Sequence, residues 1–565
     1  MRRFPNLSAV LAGLALAFGV VGSAVFAQDK ATATTKQAGA AAKAGGPVAM
    51  LSITNLDRLL GDATYMLRAC NVPEVGGLVT VMANQYTQGL DRTRPLGLSV
   101  TMDGETPVPV GFLPVSDRGA FFDSLAAIGV EPDDLGDGLF EISAGANAIF
   151  VKEASGWLYI SQTEEALDKV VADPSAALGD LPKKYDLAVK VNLQALPTEM
   201  VDMMVEQIRG GFERGMAEQG DRTEEEINKA RELGEASMEQ MEQSIRNTEQ
   251  LIFGWAIDVE GQKTFMDGAA QFVAGSKLAT QADAAKNMKT AFSAFKLPAP
   301  AVSFRSTSTV ADDDKAVIKN SLNTSLQQIE DRIGDEINNA QASEALVKLI
   351  KKLGKLLEQT IDEGTLDGSL SASVSGDALK VLVGGRIADG KALAQAVQDA
   401  VKDLSGISEV PKFDFAYETY GGMTLHRTSV PIQSSDRAVQ KIFGDSVKLT
   451  IGTGDKAFAL SLDAAGDASL KAAIDGMKKA PSVGATPLEG VVEVGQIVEY
   501  AQSVSPNSML DIVLEAIKDY AGKDKVLVNA NVIPRGVVYR LSIDEGVLRA
   551  IGAAAKAGGQ NNGGF

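Results

Sequence analysis

Apolar and polar positions along this chain switch between two periods, and the switches recur in the same order four times. Stretches that alternate apolar and polar side chains, the pattern of a half-covered strand, give way to stretches with apolar residues three and four apart, the pattern of a helix. The first round has a strand at 48–53, a helix with Leu56, Leu60, Ala63 and Leu67 on one face, a hairpin turning at Asp103-Gly104, and a closing helix starting near Asp117. The second has a strand at 185–191, a helical region at 198–247, a turn at Glu260-Gly261 and a helix capped by Ser276. The third has a strand at 302–310, a helical region at 312–362, a turn at Ser375-Gly376 and a helix capped by Asp389. The fourth is shorter, with a strand at 491–497, a helix aligning Leu510, Leu514 and Ile517, a turn at Pro534-Arg535-Gly536 and a helix capped at Asp544. Glycine supplies the positive torsions of the turns, and Ser or Asp satisfies the free amides at each helix start.

Rounds one and two are separated by a hairpin at 139–160 and a helix at 164–171; rounds three and four, by a stretch ending in a strand at 458–462 and a helix at 467–477. The pairing predicts an α+β protein of two tandem modules, each an antiparallel sheet covered by helices. Leu297-Pro298-Ala299-Pro300 is a stiff seam that divides the chain into modules at 47–297 and 298–556, with a flexible tail at 557–565.

Each module also carries a long amphipathic helical region. In the second, Ile318, Leu322, Leu326, Ile329, Ile333 and Ile337 form a stripe that lapses at 338–343 and resumes with Leu346, Ile350, Leu353 and Leu357. A single rod would reach roughly 75 Å, so a folded-back hairpin is expected. In the first module Val201, Met204, Ile208 and Phe212 play the same part, interrupted at Gly210-Gly211 and Gly220 and resumed from Ile227. Such stripes read as packing surfaces, the alternative being a groove for a partner.

The start of the chain follows another logic. Arg2 and Arg3 precede an apolar run at 7–25 and then Val25-Phe26-Ala27, the arrangement of a secretory signal peptide at 1–27 cut between Ala27 and Gln28. Because Gln28 is not cysteine, lipid attachment at the cut is excluded; an uncleaved anchor is the alternative. Residues 28–46 are small and polar without an apolar period, a flexible linker. No later segment is apolar enough to span a bilayer, so the expected location is the periplasm, cell envelope or exterior.

Charge narrows the partners. The chain has 54 basic and 73 acidic side chains, a net charge of −19 that becomes more negative once Arg2 and Arg3 leave. Nucleic acid is excluded as a partner, since its binding needs basic side chains to displace counterions. Aromatic residues make up only 5%, which argues against a sugar-stacking surface.

The chemistry-bearing residues are sparse. Cys70 is the only cysteine, in an apolar helical setting that reads as a buried thiol, and His426 is the only histidine, read as a half-exposed strand position at 423–430. A zinc site needs several such ligands, and a serine triad would need His426 together with a nucleophile elbow that the chain lacks. Gly385 to Lys391 imitates a phosphate loop, but Ala392 stands where the motif places the magnesium-binding hydroxyl, so the stretch reads as a strand end and helix cap. Asp312-Asp313-Asp314 and Glu224-Glu225-Glu226 sit near helix starts, where negative charge favours the helix dipole. No catalytic, cofactor-binding or metal-binding residue is nominated, and no cofactor is expected.

The run Gly111-Phe112-Leu113-Pro114-Val115-Ser116-Asp117, with Gly156-Trp157-Leu158-Tyr159-Ile160-Ser161 and Glu165-Ala166-Leu167 after it, resembles a group of large exported bacterial proteins built from recurring strand, hairpin and helix units. That resemblance covers the first module and carries over no functional residues. The expected function is a non-enzymatic envelope binding, scaffold or interaction protein. The alternatives are a carboxylate-dependent hydrolase of an envelope or extracellular polymer and a carrier of lipid or another apolar ligand. The expected partner is an envelope protein or an apolar ligand.

Overall fold

A computed structural model describes residues 46–144, 147–217, 238–239, 241–337, 339–375, 378–404, 412–431 and 446–561. The expected leader and most of its linker, the cut between Ala27 and Gln28, Gly376 of the expected turn, residues 218–237 with Glu224-Glu225-Glu226 and the helical stretch read from Ile227, and the last four residues lie outside the described residues.

The described chain is mixed α+β, organised by a large antiparallel sheet. Its first ten strands are β1 (Ala49–Asn55), β2 (Pro95–Asp103), β3 (Thr106–Pro114), β4 (Pro132–Gly136), β5 (Leu139–Ala144), β6 (Asn147–Ala154), β7 (Trp157–Ser161), β8 (Leu187–Asn192), β9 (Thr248–Asp258) and β10 (Lys263–Phe272). After the two-residue β11 (Lys289–Thr290) come β12 (Val302–Thr309), β13 (Thr365–Ser375), β14 (Ala378–Arg386), β15 (Phe413–Tyr420), β16 (Met423–Pro431), β17 (Ser446–Thr453) and β18 (Ala457–Leu462). The two-residue β19 (Val483–Gly484), which pairs with β11, precedes β20 (Leu488–Glu493), β21 (Lys525–Ile533) and β22 (Gly536–Asp544). The pairings place twenty of these strands in one order: β4-β5-β6-β7-β3-β2-β1-β8-β9-β10, then β22-β21-β20-β12-β13-β14-β18-β17-β16-β15. The two halves meet where β10 pairs with β22, from Lys263 opposite Asp544 to Gln271 opposite Gly536.

The longer helices are α1 (Leu56–Ala69), α2 (Pro73–Tyr86), α3 (Arg118–Ala126), α4 (Thr198–Ala217), α5 (Lys277–Ala285), α6 (Asp312–Glu336), α7 (Ala340–Asp362), α8 (Gly390–Asp403), α9 (Ala468–Lys479), α10 (Val494–Val504), α11 (Ser508–Ile517) and α12 (Glu545–Asn561). The capping residues work as read: Asp117, Ser276 and Asp389 each accept a backbone amide of the helix they begin. The 312–362 stripe divides into α6 and α7, with Asn339 capping α7 through the Ala342 amide at 3.0 Å. Lys319 pairs with Asp362 at 2.5 Å, and Glu330 with Lys351 at 3.4 Å, so the two helices lie antiparallel. Their stripe residues Ile318, Leu322, Leu326, Ile350, Leu353 and Leu357 are buried in one core with Val383, Ile451 and Phe458 of the sheet.

That sheet region is covered on both sides. Leu382, next to Val383 and therefore on the opposite face, packs with Phe292, Phe295 and Leu297 and with Leu470 and Ile474 of α9. In the other half Leu158 packs beneath Phe121 of α3, while its neighbours Trp157 and Tyr159 pack against Leu167 and Leu178. The segment preceding Pro298 is tied to β13: the Thr290 hydroxyl and Ala291 amide donate to Asp367 at 2.7 and 2.9 Å, and the Leu297 amide to the Ser371 hydroxyl at 3.0 Å.

Three local expectations are corrected. The strand placed at 491–497 ends at Glu493, and α10 begins at once, because the Asp524 carboxylate accepts the Gly495 amide at 2.8 Å and anchors the helix start from another element. Asp544 stands directly before α12, as read, and its carboxylate accepts the Lys525 amide at 3.2 Å across the hairpin. The 139–160 hairpin belongs to a four-strand run, β4 to β7, and the helix read at 164–171 is a single 3₁₀ turn at Glu165–Leu167. His426 is buried rather than half-exposed.

Candidate apolar binding face

Residues directly opposite one another on adjacent strands share a face of the sheet. The registers therefore assemble rows of side chains across the middle strands. One row runs Leu98, Leu51, Val189, Phe253, Gly268, Tyr539, Ala530, Leu488. The row beside it runs Leu96, Ile53, Leu187, Trp255, Met266, Leu541, Val528, Gly490. Neither row contains a charged residue. Its polar groups are few, and the Trp255 indole N–H is already committed to the Thr264 hydroxyl at 2.9 Å.

This is the face that helices cover at both flanks. The second row continues through Phe304 and Leu370 to Val383, in the core beneath α6, α7 and α8. The first continues from Leu98 through Gly111 to Ile160, which packs into the core beneath α3. Between those flanks the cover is incomplete: Phe253 is 59% exposed, Met266 47%, Tyr539 46%, Leu187 39% and Val189 37%. Burial of apolar area is the main drive of folding, so the bare central strip on the face that packs elsewhere is the candidate binding surface.

The reverse side of the same strands is covered: Ala188, Ile252, Ala256 and Phe265 pack there with Leu181 and Tyr185, and charge pairs lie among them. Its corresponding row is Gly254, Asp267, Arg540, Asn529, Glu489, Arg305. Arg540 grips Asp267 with two bonds of 2.7 Å, and Arg305 pairs with Glu489 at 2.5 Å. The Tyr185 hydroxyl donates to Asp267 at 2.8 Å, and burial, reinforced by that carboxylate, pushes the Tyr185 phenol up to about 12.

A second apolar surface lies on α2, whose only charged residue is Glu74. Val75, Leu78, Val81 and Met82 are exposed there, while Gly76 closes against Thr64 and Leu67 of α1.

No match to this chain is found among protein-family models, curated proteins or solved structures. The site therefore rests on its own geometry.

The chemistry-bearing residues singled out in the sequence are scattered and internally engaged. In the phosphate-loop lookalike the Asp389 carboxylate accepts the Lys391 and Ala392 amides at 2.9 and 3.0 Å, occupying donors that a phosphate would need. A side-chain carbon on Gly390 would sit 1.8 Å from the Gly454 carbonyl oxygen, so this backbone is packed shut. His426 accepts the Ala416 amide on Nδ1 at 3.2 Å and meets the Thr453 hydroxyl at 3.2 Å through Nε2. Cys70 is a half-buried free thiol at the end of α1, its pKa raised by burial. Asp314 reaches Lys277 and Gln281 of α5 at 3.5 and 3.2 Å. Among the described residues, no group of three or more His, Cys, Asp or Glu side chains is arranged to hold a metal ion, and no helix is long and apolar enough to cross a membrane.

One carboxylate pair stands out. Burial first, then the adjacent Asp186 carboxylate, pushes the Asp62 carboxyl up to about 6. Asp186 is fully buried, accepts the Ile257 amide at 2.7 Å and lies 2.9 Å from Arg58, which also holds Asp62 at 3.3 Å. The pair pins α1 to the end of β8. Sequence reasoning missed Phe253, Met266 and Tyr539. Their alternation was visible, as in Leu251, Phe253, Trp255 and Ile257, but that pattern alone does not distinguish a covered face from an open one.

Proposed function

We propose that this chain is an exported, non-enzymatic binding protein of two tandem modules whose working surface is the open apolar face around Phe253, Met266 and Tyr539. The observation that carries the reading is the contrast between the two sides of β9, β10 and β22: a covered side with charge pairs and apolar packing, and an exposed charge-free floor on the other. On a protein with net charge −19, such a patch marks an interaction site rather than ordinary surface. The helical stripes of α6 and α7 are spent on the core, so the contact surface is assigned to the sheet instead.

The two-module reading draws support from the strand order. Read outward from the β10–β22 junction, each half places its strands in the same succession, so β8, β1 and β2 correspond to β20, β12 and β13. The helical pair α6 and α7 stands between β12 and β13, and the pair α1 and α2 stands in the equivalent place between β1 and β2; α4, between β8 and β9, answers in the same way to α10 and α11 between β20 and β21. The leader read at 1–27 supports a location outside the cytoplasm, and amino-terminal sequencing of the exported chain is expected to begin at Gln28.

The test of the binding face uses N-phenylnaphthylamine, an uncharged probe that fluoresces in apolar surroundings. The chain is expected to bind it, and Phe253→Asp to weaken binding about tenfold or more, because the floor would then hold a carboxylate. Unchanged binding by a folded Phe253→Asp variant would refute the assignment.

A further inference from the structure

We infer that the occupant of the open face is hydrocarbon, the acyl chains of a lipid with an uncharged or zwitterionic headgroup. The inference deepens the binding reading above and rests on it. Its first ground is the scarcity of hydrogen-bonding groups. Strands β8, β9, β10, β21 and β22 each have a neighbour on both sides, so their ladders consume the backbone donors and acceptors of the floor. Of the side chains in the two rows only Trp255 and Tyr539 carry an N–H or O–H group, and the Trp255 N–H is engaged by Thr264. Protein interfaces carry on average about one hydrogen bond per 100–200 Å². A surface this poor in donors and acceptors would leave a protein partner's polar groups unpaired at a cost, whereas an acyl chain has none to satisfy.

The second ground is charge. Both rows are free of it, and the surrounding molecule, at net −19, repels anionic headgroups while leaving neutral and zwitterionic ones unopposed. The third is extent. The exposed positions Leu187, Val189, Phe253, Met266 and Tyr539 lie on four adjacent strands, β8, β9, β10 and β22, a width of roughly 14 Å at about 4.8 Å per strand, and the rows are buried beyond them at Ala530 and Leu488. One leaflet of a bilayer is about 15 Å of hydrocarbon, so the exposed width matches the length an acyl chain occupies there. Met266, near the middle of the floor, adds an unbranched side chain that adapts to chains of differing shape.

The experiment incubates the exported full chain with phosphatidylcholine vesicles, removes the vesicles by flotation, and measures phosphatidylcholine in the protein fraction by mass spectrometry, with N-phenylnaphthylamine binding and sedimentation in parallel. The expected result is phosphatidylcholine carried by the protein and lowered about tenfold by Phe253→Asp. Tyr539→Asp serves as the second variant if circular dichroism shows the first to be misfolded. Probe binding without retained phosphatidylcholine overturns the lipid assignment and leaves the binding face standing. Lipid-free dimers that dissociate in the Phe253→Asp variant overturn it in favour of a contact between copies. Absence of both probe and lipid binding overturns the binding face as well.

Discussion

His426 and Asp62 respond to acid in opposite senses, and each reports on a contact that only the folded chain makes. His426 Nδ1 accepts the amide of Ala416, a residue with φ of +51° at a register shift in β15. Burial holds the ring's pKa below its ordinary value, so the unfolded chain takes up this proton at higher pH than the folded one. The stability it contributes is complete above the ordinary histidine range, about 6.5, and declines as pH falls below it. Asp62 is raised from 3.8 to about 6, so the folded chain holds the proton more tightly. Its contribution is complete below the ordinary carboxylate range and is lost as pH rises through about 6. Thermal unfolding followed across this range should show Asp62→Asn raising Tm near neutral pH with little effect in acid. His426→Gln, which keeps an acceptor without the basic nitrogen, should flatten the acid side. A Tm for Asp62→Asn displaced equally at every pH would mean that no proton is involved. Neither environment was legible in the sequence. The cap roles of Asp117, Ser276 and Asp389 were, because their partners lie within three residues, whereas the Thr453 partner of His426 arrives through the pairing of β16 with β17.

At the scale of elements, local period located most helices, and misjudgements cluster where a distant residue decides the boundary. Val494 and Ile497 are β-branched and read as strand continuation, but the Asp524 carboxylate gathers the Gly495 amide and starts α10 there. The same long-range control governs how α12 meets α1. The Tyr65 hydroxyl donates to Glu545 at 2.5 Å, and a side-chain carbon on Gly552 would lie 2.1 Å from the Cys70 carbonyl oxygen. Glycine within a helix normally costs stability, so its place here follows from the close approach of two backbones. Gly552→Ala should therefore destabilise the protein by about 1–3 kcal/mol in urea unfolding, although alanine is the better helix former. A stabilised variant would show that the two helices separate freely.

For the whole molecule, the order of strands could be only partly anticipated. Neighbours in sequence pair as hairpins, so β2–β3, β9–β10, β13–β14 and β21–β22 follow from their turns, but β10–β22 joins positions more than 260 residues apart and no local pattern specifies it. The binding face depends on this junction, since Phe253 and Met266 come from one half and Tyr539 and Leu541 from the other. Asp267 and Arg540 cross it on the reverse side, the aspartate buried and held by both guanidinium bonds. Arg540→Met would leave that carboxylate facing Tyr185 alone and should cost about 3 kcal/mol. Separating the halves should be more damaging. A chain of residues 47–297 would present β10 as a bare edge along the nine positions that β22 occupies in the whole protein. Unpaired edges recruit other strands, and the apolar floor beside this edge would be exposed along its length. The isolated half is expected to self-associate in sedimentation, and adding 298–556 as a separate chain should restore a one-to-one complex through β10 and β22. A half that sediments as a folded monomer would show that the sheet edge is protected without its partner, and the face would then have to be assembled differently from the continuous rows that the registers describe.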